Sequence, residues 1–244
     1  MRRDVLELRA FYASPLGEAA RDMVLRKLYE AWDTARGLDV LGVGYATPYL
    51  EPFEALARRT VAAMPAQQGV ERWPAASANR ACLSGEVSLP FPNALFDRVL
   101  LVHALEESDN PAALLAEVKR VLAPSGRVIA VVANRRGVWA RAESTPFGYG
   151  RPFTRGQIEE VVRDAGLEPE AWSRALYTPP MPLFANYADV FEAVGARLWS
   201  PMSGVILLEA VKQTFAVKPK GAKAPALVRP SIRPVPVGAT REPA

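Results

Sequence analysis

His103 is the only histidine in this 244-residue chain, and it directly follows Arg98–Val102, a largely apolar run that reads as a buried strand. An imidazole at a strand end can take a proton from an acceptor O–H or N–H near neutral pH. It can equally be a satisfied histidine lining that end. Glu106 and Glu107 come next, placed to orient the ring or to open a helix. A second stretch, Gly42-Val43-Gly44-Tyr45-Ala46, stops another apolar run, Leu38 to Leu41. Glycines lack Cβ, so a ligand can lie against bare backbone while the N–H groups of the next helix face it. A tight strand-to-helix turn with no ligand needs the same residues. A third stretch runs from Asn134 to Phe153. Its Arg135, Arg136, Trp139, Tyr149 and Arg151, with glycine hinges, suit a lid over an aromatic or anionic acceptor. The same side chains also suit plain packing or a partner subunit.

A parallel sheet is what would bring these groups together. Strands are expected at Leu38–Val43, Arg59–Ala63, Ala81–Ser84, Arg98–Val102, Arg127–Val132, Ala171–Leu176 and Gly204–Ala210. Leu6, Leu8 and Phe11, then Ala20, Met23, Val24, Leu28 and Trp32, recur at helical spacing. They give two helices, broken at Ala13–Gly17. Thr47 or Glu51 is expected to cap the helix after the glycine turn, with Pro48 or Pro52 in its first turn. Asn110-Pro111 opens Ala112–Leu122, and Thr154 with Gln157 forms a capping box before Ile158–Ala165. Alternating strands and helices force right-handed crossovers, and ligands then bind beyond the strands' carboxyl ends. The ends that converge there are Gly42–Ala46, Met64–Gln68, Gly85–Glu86, His103–Glu106 and Asn134–Arg136.

Leu89-Pro90-Phe91, then Phe96-Asp97 leading into a strand, then Glu117 to Leu122 closing on Pro124-Ser125-Gly126, carry a resemblance. They resemble the class I S-adenosylmethionine-dependent methyltransferases, in the type-11 branch related to quinone-pathway enzymes. The resemblance runs from Leu38 to Ala165. It implies an α/β, Rossmann-like, doubly wound sheet of seven mostly parallel strands, the last one antiparallel, with helices on both faces. It implies S-adenosylmethionine as donor and no metal. Gly42, Gly44, Tyr45, Ala46 and His103 would face the donor, and His103 is the candidate catalytic base. The chain departs from the pattern in places. Val40 stands where the family has an acid, with Asp39 one place off register. The second strand ends in Ala63 to Gln68 without a carboxylate, which leaves Gln67 or Gln68 for the ribose hydroxyls. Glu86 is placed to meet the adenine amino group. The acceptor implied is a small aromatic or lipid-like molecule. The missing carboxylates keep a second reading open, a non-catalytic module of the same fold that binds a protein partner.

Composition sets further bounds. The net charge of +4 is unevenly spread: six basic residues against Glu242 give Val217–Ala244 +5, which leaves the rest at −1. Nucleic acid is therefore an unpromising partner for the body. The expected organisation is an N-terminal helical cap at 1–36, the methyltransferase-like domain at 37–215, and a basic, Pro-rich disordered tail at 216–244. Cys82 is the one cysteine, so no internal disulfide forms, and a soft-metal site lacks ligands. No apolar run reaches a membrane span and no signal peptide is legible, so a cytoplasmic protein is expected. A homo-oligomer is compatible with the exposed aromatics.

Overall fold

Valine- and leucine-rich runs without polar alternation are strands only where both faces are covered. The computed structural model describes residues 3–32, 34–198 and 200–213; the expected tail lies outside the described residues. Among the described residues seven strands form: β1 (Asp39–Gly44), β2 (Arg59–Pro65), β3 (Ala81–Ser84), β4 (Phe96–Val102), β5 (Leu122–Ala133), β6 (Glu168–Ala175) and β7 (Val205–Val211). They make one sheet ordered β3-β2-β1-β4-β5-β7-β6, parallel except that β7 runs antiparallel to both neighbours. This is the expected α/β architecture. β5 starts earlier than expected: it takes in Pro124-Ser125-Gly126 although Ser125 turns at φ 61°, and just past β7 Lys212 N donates to Gly126 O at 2.9 Å.

Neighbouring residues on each strand serve opposite layers. Val40, Leu100, Val102, Ile129 and Val131 join the core under α1 (Val5–Tyr12), α2 (Pro15–Trp32) and α3 (Thr47–Glu54). Leu41, Val43, Val99, Leu101, Val128 and Val132 join the core under α4 (Pro111–Val121) and α5 (Arg155–Asp164). A sixth helix, α6 (Ala188–Leu198), belongs to the connection between β6 and β7.

Two caps form as the residue types dictate. Asn110 accepts from Ala113 N at 3.0 Å, and the Thr154–Gln157 box closes in both directions. At the start of α3, Pro48 takes the first turn as expected, but the N-cap is Ala46, with no side-chain bond, and Pro52 lies inside the helix. At the α1–α2 corner, Ser14 Oγ donates to Phe11 O at 2.6 Å and accepts from Gly17 N at 3.1 Å. A Cβ on Gly17 would run into the Phe11 carbonyl, so that corner needs glycine. No described helix is long and apolar enough to cross a membrane.

Candidate active site

β1 lies inside the sheet between β2 and β4, and its carboxyl end delivers the glycine turn. Gly44 has φ 84°, and a Cβ there would strike the Val102 carbonyl of β4. Tyr45 N donates to that same carbonyl at 2.9 Å. Gly42 lets α3 sit close: its Cβ would lie 2.6 Å from Leu50 Cδ1 and 2.7 Å from Ala46 Cβ. Both glycines are thus required by packing before any ligand is considered. Asp39 sits at the opposite, amino end of β1, buried and paired with Arg58. The Arg58 hydrogen bond holds its carboxyl below the usual range.

The space over the turn is filled from α1. Tyr12, the last residue of that helix, is buried, and its ring stacks on Tyr45 at 5.7 Å. Its hydroxyl meets His103 Nε2 at 2.8 Å and the Tyr49 hydroxyl at 3.0 Å. His103 is buried as well, at φ 51°, with its ring 4.7 Å from Phe147. Burial first, and the charge of Arg3 second, push its pKa down to about 3. The imidazole is therefore neutral at ordinary pH and committed to Tyr12. Burial likewise raises the Tyr12 and Tyr49 phenols, so both stay protonated. Tyr45 reaches outward, donating to Glu71 at 2.8 Å, and Glu71 pairs with Arg9 of α1. Glu106 and Glu107 act elsewhere: Glu106 accepts from Ala133 N at 2.8 Å and Glu107 from Arg3 N at 3.0 Å.

At the neighbouring strand ends the expected contacts divide. Gln67 is exposed, whereas Gln68 is 1% exposed and both atoms of its side-chain amide are buried without a hydrogen-bond partner. The Gln68 carbonyl accepts from Val5 N at 2.8 Å, which fixes the start of α1 against the end of β2. Glu86 is half-buried in the turn after β3, where Gly85 bridges to Ser88.

Residues 38–130 match the family described as a methyltransferase domain. That match supports the type-11 branch of the class I S-adenosylmethionine-dependent methyltransferases, and the solved structures of such enzymes share the fold. An uncharacterized protein of Mycobacterium tuberculosis is 27% identical over 73% of this chain and 63% of its own length. The chain thus spans less than two thirds of that curated relative. A Haloferax volcanii protein solved with the Trm112 methyltransferase activator superposes with a TM-score of 0.63 at 20% identity. That likeness covers 88% of this chain and 100% of the other. The Burkholderia thailandensis 1,6-didemethyltoxoflavin-N1-methyltransferase, solved with bound 1,6-didemethyltoxoflavin and S-adenosylhomocysteine, gives a TM-score of 0.53 at 19% identity. Here 81% of this chain and 80% of that chain are covered.

The stretch after β5 separates into scaffold and surface. Trp139 is fully buried; its Nε1 donates to Thr178 O at 2.7 Å and its ring packs on Phe147 at 5.5 Å. That bond ties the stretch to the segment before α6, so Trp139 is a pillar and not a side chain that swings. Tyr149 is exposed beneath the Arg3 guanidinium, 4.0 Å from its ring centre. Arg135, Arg136 and Arg151 are exposed on the same edge. Tyr12 and Tyr49, absent from the expected site, are the residues the structure adds to it.

Proposed function

We propose that this chain transfers a methyl group from S-adenosylmethionine to a small aromatic or lipid-like acceptor, and that α1 must withdraw Tyr12 before the donor can bind. The observation that carries the reading is Gln68. A buried amide with no partner costs about 1–3 kcal/mol, and a polar ligand at the end of β2 would remove that cost. With Tyr12 seated, the turn is too well packed to admit the donor; with Tyr12 withdrawn, Gly42 to Ala46 present backbone, and Gln67, Gln68 and Glu86 present polar groups. The donor supplies an electrophilic methyl, so the chain's task is alignment more than acid–base chemistry. His103 Nε2, released from Tyr12, would become the nearest proton acceptor at the end of β4.

Thermal denaturation of the full chain with millimolar S-adenosylhomocysteine tests this. A ligand at one hundred times its dissociation constant stabilises a fold by about 2.7 kcal/mol. We expect a shift in the wild type and a larger one in Tyr12→Ala, where the site is already cleared. The seated Tyr12 is also the observation that favours the second reading, a non-catalytic module. An absent shift in both proteins would select it and reduce the glycine turn to a connection. Label transfer from methyl-labelled donor to a fractionated extract then finds the acceptor.

A further inference from the structure

Leu105, Pro111, Phe153 and Val161 give an apolar floor to a cleft of about 260 Å³ that Arg135 and Arg151 overhang. This is just below the ~300 Å³ at which ordinary ligand pockets begin, so it suits a small guest. Among the described residues, neither arginine has a carboxylate within 4.0 Å. Each is steadied by one carbonyl instead. Arg135 Nε donates to Pro152 O at 3.1 Å, and Arg151 Nη2 donates to Ser108 O at 3.2 Å. Their backbones are fixed too: Arg135 N donates to Phe153 O at 2.9 Å and Arg151 N to Glu106 O at 2.7 Å. Gly150, at φ 74°, permits that second approach, since a Cβ would strike the Glu106 carbonyl. A guanidinium has five N–H donors, so both heads keep free donors in a held position. Glu160 is the one acid lining the cleft, which leaves a net positive lining.

We propose that this cleft binds a small molecule with a carboxylate on an apolar body, the carboxylate bridging Arg135 and Arg151. The planar fork of arginine matches a carboxylate in two parallel hydrogen bonds. The apolar floor favours a ring or short hydrocarbon over a bare inorganic anion. That the guest is the methyl acceptor rests on the function proposed above; its binding does not. Leu105 lies two residues beyond His103, so such a guest would sit beside the end of β4.

Calorimetric titration of the full chain without donor tests the cleft, with benzoate, benzamide and inorganic phosphate as probes. Benzoate should bind, and Arg135→Gln or Arg151→Gln should each weaken it on the order of tenfold, as loss of a charge-assisted hydrogen bond does. Arg151→Lys should recover part of the loss. Melting temperature checks that the variants fold. Benzamide or phosphate binding as well as benzoate, unchanged binding in both glutamine variants, or no binding by any probe at millimolar concentration would each overturn the proposal. S-adenosylhomocysteine shifts measured on the same proteins keep the two questions apart. Benzoate binding without a donor shift removes only the donor reading, and the converse removes only the cleft.

Discussion

At the ends of β1 and β4, Tyr12, Tyr49 and His103 are shielded from water and joined through the Tyr12 hydroxyl, with Tyr45 stacked on Tyr12, whereas beyond β5 the side chains of Arg135 and Arg151 stand in solvent. Both regions occupy the carboxyl-end edge of one sheet. In the first, polar atoms are bonded inside a packed aromatic cluster, so changing one of them changes the stability of the fold. In the second, charged groups overhang an apolar floor and keep their hydration, so changing them alters what can bind and little else. Functional position and structural weight are therefore separable along this edge.

The largest effect should come from the backbone under the closed region. Gly44→Val would place a branched side chain at positive φ against the Val102 carbonyl, and chemical denaturation should show a loss of about 3–5 kcal/mol. Tyr12→Ala should cost about 3 kcal/mol through the cavity it leaves, while Tyr12→Phe, which removes only the hydroxyl, should cost about 1–2 kcal/mol. Equal losses in the two would mean that the hydroxyl network, not the ring, holds α1. His103 gives a pH test. Folded, it resists protonation until about pH 3, against an ordinary value of 6.5. Between those values the unfolded chain holds the extra proton, so stability falls as pH falls, by up to about 1.4 kcal/mol per pH unit. His103→Gln should flatten that slope between pH 6 and 4; an unaltered slope would assign it to carboxylates. The smallest effect should be at the open region. The Arg135→Gln and Arg151→Gln pair should change stability by less than about 0.5 kcal/mol. A larger loss would show that the arginines carry structure and would erase the contrast.

Most of the sheet was legible because its strands are short apolar runs with glycine or proline at their ends, and a strand covered on both faces has little other way to look. The caps at Asn110 and Thr154 were legible because capping chemistry is local. Ala46 was not, because a cap without a side-chain bond leaves no residue signature. The site was less legible than the fold. Helical spacing selects Phe11 and passes over Tyr12, yet it is Tyr12 whose hydroxyl crosses 91 residues to reach His103. No period encodes such a bond. The available hint was two tyrosines, at 45 and 49, close to the glycine turn in a chain whose buried phenols each need a partner. Trp139 misleads for a related reason: an aromatic among arginines and glycines reads as a lid until its N–H is seen bound to Thr178.

The corner at Ser14 and Gly17 gives α1 the mechanics of a lever. Glycine at 17 lets the start of α2 press against the Phe11 carbonyl, so rotation of α1 would pivot at Ala13–Ser14 and not along either helix. Tyr12 then sits on the short arm. Val5 sits seven residues further out, roughly 10 Å along the axis at the ordinary helical rise. A small swing therefore lifts Val5 from the Gln68 carbonyl well before the ring leaves Tyr45, and a guest would gain access from the β2 side first. Amide exchange should register that order, with the Val5 proton exchanging ahead of the Tyr45 proton beneath the ring.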